Sequence, residues 1–123
     1  MPGSESTKVR GQHAEEQALR YLTARGLRLL ERNYRCRCGE IDLIMHDSNT
    51  LVFVEVRFRS HRSYGGAAAS VDARKQRRLI NTAQHYLQRH RKTESPCRFD
   101  VVAIGPAGDN DIEWLRNAII VTG

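Results

Sequence analysis

Apolar residues along this chain follow two periods, and the changes from one to the other mark its elements. Ala14, Ala18, Tyr21 and Leu22 recur at helical spacing, which predicts a first helix from about Gln12 to Arg25, with Gly26 as its stop. Leu27 to Tyr34 is an imperfect strand pattern interrupted by charge, as suits an edge strand. Arg35-Cys36-Arg37-Cys38-Gly39 then makes a turn. Two apolar stretches follow, Gly39-Glu40-Ile41-Asp42-Leu43-Ile44 and Leu51-Val52-Phe53-Val54-Glu55-Val56-Arg57, and they read as a hairpin turning at Ser48-Asn49. A basic loop, Phe58 to Gly66, precedes a second helix that Ser70 would cap and that runs to about Arg91. Its apolar stripe is Leu79, Ile80, Ala83, Tyr86 and Leu87. Arg98 to Ile104 predicts another strand, and Ile112 to Val121 a last one after a turn rich in Gly, Pro, Asp and Asn.

The order is α-β-β-β-α-β-β, a single α/β domain with a mixed sheet over residues 11–123 and a flexible lead over 1–10. A chain of 123 residues is long enough for one core. No apolar run is long enough to span a bilayer, and the polar N-terminus lacks a signal-peptide core, so a cytoplasmic protein without a membrane partner is expected. Cys36, Cys38 and Cys97 lack zinc-site spacing and read as reduced, incidental thiols. The histidines show no catalytic zinc arrangement, and Gly65-Gly66 is too little for a phosphate-binding loop.

The hairpin carries the chemistry. The register that buries the most apolar surface sets Ile41 against Val56, Leu43 against Val54 and Met45 against Val52. On the opposite face it sets Asp42 against Glu55 and Glu40 against Arg57. Carboxylates are uncommon in strands and repel each other when they face, so a compensating cation is expected. Asp42 and Glu55, with the Val56 carbonyl nearby, are oxygen donors of the kind that Mg²⁺ or Mn²⁺ takes. Arg57 beside them can stabilise charge on a transferring phosphoryl group.

A net charge of +6 and a pI near 9.7 make polyanions plausible partners. Arg59 and Arg62 in the loop, with Arg74, Lys75, Arg77 and Arg78 at the start of the second helix, are placed to hold a nucleic-acid backbone. Lys75 precedes Leu79 by one turn and so can point toward the sheet edge. A plainer reading makes Glu40–Arg57 an ordinary cross-strand ion pair, and the basic helix start a solvated face. Glu15 reads as an acid near the start of its helix.

The segments Gly39 to Ile44 and Val52 to Arg57-x-Arg59, the later Lys75, and Arg98-Phe99-Asp100-Val101-Val102 together resemble the YraN-like family of uncharacterised bacterial proteins. The likeness runs from about Gly11 to Ile120. That family in turn resembles the restriction-endonuclease-like PD-(D/E)xK nucleases and archaeal Holliday-junction resolvases. The resemblance implies an α-β-β-β-α-β core, a mixed sheet flanked by helices, with the active site on the central hairpin. It implies that Asp42 and Glu55 are metal ligands and that Glu15 completes the site. Arg57 stands where the motif has lysine, and its high pKa makes it a poor proton shuttle; Lys75 is the candidate for a migrated ammonium. The expected function is a Mg- or Mn-dependent nuclease acting on DNA rather than RNA, branched or damaged DNA included. The alternative is a nucleic-acid-binding module that keeps the fold without turnover, and a third class is an interaction protein whose acidic pair is structural. A homodimer would suit a two-strand cutter, although no interface signature is visible in the sequence.

Overall fold

A computed structural model describes residues 7–58 and 71–119, with side chains from Gly11 onward. The elements are α1 (Thr7–Ala24), β1 (Arg28–Cys36), β2 (Gly39–Asp47), β3 (Thr50–Phe58), α2 (Ala73–Arg89), β4 (Cys97–Ile104), a short 3₁₀ turn (Gly108–Asn110) and β5 (Ile112–Leu115). They follow the expected order. The boundaries differ: α1 begins at Thr7, inside the stretch expected to be a flexible lead, and β5 ends at Leu115 in a turn. α2 is capped by Asp72, whose carboxylate accepts the Lys75 backbone N–H at 2.8 Å, rather than by Ser70. Asp72 holds the extended backbone that a cap needs, and its acceptor lies three residues before an exposed donor.

The five strands form one sheet in the order β1-β2-β3-β4-β5. β3 pairs parallel with β4 from Leu51↔Cys97 to Phe58↔Ile104, and the other neighbours are antiparallel, so the sheet is mixed. A parallel pair needs a crossover, and α2 lies between its two strands in sequence. β3 is the central strand, and its run of buried residues fits a strand covered on both faces.

The two helices cover opposite faces. Ala14, Ala18 and Leu22 of α1 pack with Leu27, Leu43, Met45, Val52, Val54, Val102 and Ile104. Leu79, Ala83, Tyr86 and Leu87 of α2 pack with Tyr34, Ile41, Ile44, Leu51, Phe53, Phe99 and Val101. An aromatic cluster at this second interface sets Tyr86 edge-on to Tyr34 and to Phe53, at 5.2 and 5.9 Å between ring centres. α1 ends at Gly26, whose φ of 98° lets the Leu27 N–H return to the Leu22 carbonyl at 3.1 Å.

The hairpin register is as expected from Leu43↔Val54 through Met45↔Val52 to Asp47↔Thr50, with Ser48 at a φ of 55° in its turn. Beyond Leu43↔Val54 the regular pairing of β2 with β3 stops. The expected facing pairs Ile41–Val56 and Asp42–Glu55 are therefore not part of the ladder, and two further expectations fail there. Ile41 packs on the α2 side while Leu43 packs on the α1 side, so one continuous apolar face does not run through both. Strict alternation would have kept them together, so the strand changes phase at Asp42. Glu40 does not pair with Arg57: its carboxylate accepts a hydrogen bond from Arg35 Nε across β1 at 2.7 Å.

Candidate functional site

The phase change is tied to the carboxylate itself. Asp42 Oδ2 accepts the Val56 backbone N–H at 2.8 Å, so a side chain takes a donor that the strand ladder would otherwise use. In β1, Asn33 sits between the paired residues Arg32 and Tyr34 with a φ of 53°, the left-handed region that asparagine tolerates. Its side chain and that of Asp42 both lie close enough to the Glu15 carboxyl of α1 to hold its pKa down against burial. Three successive elements thus meet at one opening of the sheet.

Glu55 is on β3 and is 4% exposed, with its Oε2 3.4 Å from Arg57 Nη1 and 3.4 Å from Lys75 Nζ. Both contacts are long for charge-assisted hydrogen bonds, so two cations share one oxygen without either closing on it. Lys75 reaches Glu55 from the first turn of α2, one helical turn before buried Leu79.

Burial, and next the charge of Glu55, push the Asp42 carboxyl up from 3.8 to about 8; the Val56 N–H opposes this, and the charges of Glu15 and Glu40 add to it. Glu15 is also raised, by burial first and the Glu40 charge second, against the pull of Arg32 and its hydrogen bonds. Asp42 therefore holds its proton to a pH well above the usual carboxylate range. A hard divalent cation would replace that proton, and the oxygen donors of Asp42 and Glu55 suit such an ion. Among the described residues, no three His, Cys, Asp or Glu side chains converge into a ready-made metal cage. The pair matches the habit of Mg²⁺, which takes one or two carboxylates and completes its shell with water and substrate oxygens.

The structure thus brings Glu15, Asp42, Glu55, Arg57 and Lys75 together across α1, β2, β3 and α2. Arg74, Arg77 and Arg78 are exposed on the first turns of α2. Arg59 and Arg62 lie outside the described residues. Cys36, Cys38 and Cys97 are free thiols. Among the described residues, no helix is long and apolar enough to cross a membrane.

Two features were not foreseen. Asn33 joins the site, and an asparagine before a buried aromatic in an edge strand was its only sequence signal. Asp100 is fully buried and holds Arg98 Nε at 3.0 Å, Trp114 Nε1 at 3.0 Å and the Asn117 N–H at 2.8 Å. Arg98 continues to Asp47 at 3.0 Å, so this network ties β4 to the hairpin turn and to β5. It satisfies the buried carboxylate and leaves it no role at the site.

Among solved structures, SfsA of Pyrococcus furiosus, in a complex with Ca²⁺, aligns over 94% of this chain and 66% of its own at 16% identity and a TM-score of 0.40. Among sequences, a UPF0102 protein of Methylococcus capsulatus is 62% identical over 110 residues, covering 89% of each chain. A UPF0102 protein of Alcanivorax borkumensis is 54% identical over 121 residues, covering 96% of this chain and 97% of its own. The model of the uncharacterised protein family UPF0102 matches residues 14–104, from the first buried alanine of α1 to the last residue of β4. The chain belongs to that family.

Proposed function

We propose that the protein is a metal-dependent nuclease that acts on DNA phosphodiesters at the Asp42–Glu55 opening, branched or damaged DNA being candidate substrates. The observation that carries this reading is the ammonium of Lys75 beside Glu55, 3.4 Å away and delivered from α2. It supplies the group that the strand motif lacks at Arg57.

Asp42 and Glu55 would hold Mg²⁺ or Mn²⁺, which would polarise a phosphate oxygen and lower the pKa of a bound water. Arg57 offers a fixed positive charge to a non-bridging phosphate oxygen, because a guanidinium does not give up its proton at neutral pH. Lys75 can donate a hydrogen bond to the leaving oxygen, and its ammonium can lose a proton more readily than Arg57 can. Glu15, next to Asp42, would help to position that carboxylate. The exposed Arg74, Arg77 and Arg78 hold the strand by its phosphates, which gives affinity without sequence preference.

Incubation with plasmid and with branched DNA in Mg²⁺ or Mn²⁺ tests the reading. Cleavage that disappears in Asp42→Ala, Glu55→Ala and Lys75→Met is expected. Cleavage that survives Lys75→Met would remove lysine from the mechanism. The arginine at position 57 favours a second reading, a nucleic-acid-binding module without turnover. Salt-sensitive DNA binding with no cleavage under either metal would select it.

A further inference from the structure

Beside the carboxylate centre lies a cavity of about 360 Å³, walled by Arg35 and Gly39 on the β1–β2 side and by Lys75, Arg78 and Leu79 of α2. Its size is at the low end of ligand pockets. The charged residues around it are three cations, Arg35, Lys75 and Arg78, against the single carboxylate of Glu40, a formal excess of two positive charges. Arg35 engages Glu40 through Nε, and Lys75 is shared with Glu55. Among the described residues Arg78 has no carboxylate partner. Three cations held near one another repel, and the fold does not disperse them.

The walls are held close by Gly39. Its φ is 150°, and a Cβ there would come to 3.2 Å from Thr82 Oγ1 and 3.5 Å from Arg78 Cβ. A glycine therefore lets the β1–β2 turn lie against α2, which sets Arg35 and Arg78 around one cavity. Thr82 is fully buried and anchored to the Arg78 carbonyl at 2.7 Å, so the helix wall is fixed as well. Lys75 is common to the cavity and to the Glu55 contact, so the two spaces adjoin.

We infer that this cavity is an anion subsite for a terminal phosphate of a nucleic-acid strand, seated next to the carboxylate centre. A phosphomonoester carries close to two negative charges at neutral pH, so Arg78, with the shared Arg35 and Lys75, attracts it more strongly than a singly charged group. An internal phosphodiester carries one. Arg78 and the terminal nitrogens of Arg35 offer planar donor forks that suit a phosphate. The substrate class implied is a strand with a phosphorylated end, as at a nick, gap or processed break. The inference rests on the nuclease reading for its substrate, although the cavity's charge does not depend on that reading.

The test compares the affinities of the full-length protein for one single-stranded oligonucleotide carrying a 5′-phosphate, a 3′-phosphate or hydroxyl ends, by fluorescence anisotropy in EDTA. A preference of roughly tenfold for one phosphorylated form over the hydroxyl form is expected, the worth of one or two charge-assisted hydrogen bonds. Arg78→Gln and Arg35→Gln should each bring that ratio close to one. Equal affinities in the native protein, or variants that weaken all three oligonucleotides in proportion, would overturn the subsite. If the preference is absent while Asp42-dependent cleavage is found, the subsite alone fails. If no oligonucleotide binds but a nucleoside 5′-monophosphate binds in an Arg78-dependent way, the cavity is a phosphomonoester site and the nuclease reading fails.

Discussion

Asp42→Asn isolates the energetic cost of the carboxylate opening from everything else that holds the fold. Asparagine keeps the size of the side chain and an oxygen for the Val56 N–H, but it cannot carry the charge that burial and Glu55 oppose. The native carboxyl is lifted from 3.8 to about 8, so the folded state binds this proton more tightly than the unfolded chain does. Its contribution to stability is therefore complete below about pH 4 and is lost as pH rises toward 8. Taken alone, a shift of that size amounts to roughly 6 kcal/mol. Glu15, itself raised, shares the titration and Asp42 is only partly buried, so a net effect of about 2 kcal/mol is the sounder figure. In EDTA, Asp42→Asn should match the native protein below about pH 4 and exceed its Tm by roughly 5–10 °C at pH 9. At the higher pH, Mg²⁺ or Mn²⁺ should raise the Tm of the native protein and leave the variant unchanged. Thermal unfolding followed by circular dichroism across this range reads both effects. Parallel pH profiles for the two proteins in EDTA would refute the reasoning, because Asp42 would then ionise as freely folded as unfolded.

Other substitutions probe the supports of the site. Asp100→Ala strips the fully buried partner from Arg98, Trp114 and Asn117 and should cost about 3–5 kcal/mol in urea unfolding, enough to threaten folding at 37 °C. Gly39→Ala meets both a positive φ and Thr82 Oγ1, and a loss of roughly 1–2 kcal/mol is expected by the same measurement. Asp72→Ala removes the α2 cap and should cost about 1 kcal/mol, with amide exchange rising first in the turn that carries Lys75.

The hairpin was legible in the sequence for a physical reason: a two-residue turn at Ser48-Asn49 fixes the register, and that register keeps Leu43, Met45, Val52 and Val54 together on the α1 side. The same logic failed below Leu43. Alternation assumes that backbone donors go to backbone acceptors, and the Asp42 side chain breaks that assumption by taking the Val56 N–H. Glu40 was consequently assigned to Arg57 when its partner, Arg35, comes from the other neighbouring strand. Lys75 could be placed because helical spacing tied it to Leu79. Asp100 could not, because Trp114 and Asn117, which satisfy it, follow a turn whose path composition does not reveal.

The hydrogen bond from Val56 to Asp42 also limits how this residue can serve as a ligand. One carboxylate oxygen, Oδ2, is already occupied as the tie between β2 and β3 where their ladder has ended. An ion arriving at the opening would meet Oδ1 clear of the backbone and one remaining lone pair on Oδ2, so single-oxygen ligation through Oδ1 would leave the strand tie undisturbed. A small octahedral ion that tolerates single-oxygen ligation is thus better served than a large one that chelates both oxygens. In this way one backbone hydrogen bond would bias the proposed site toward one class of metal before any substrate arrives.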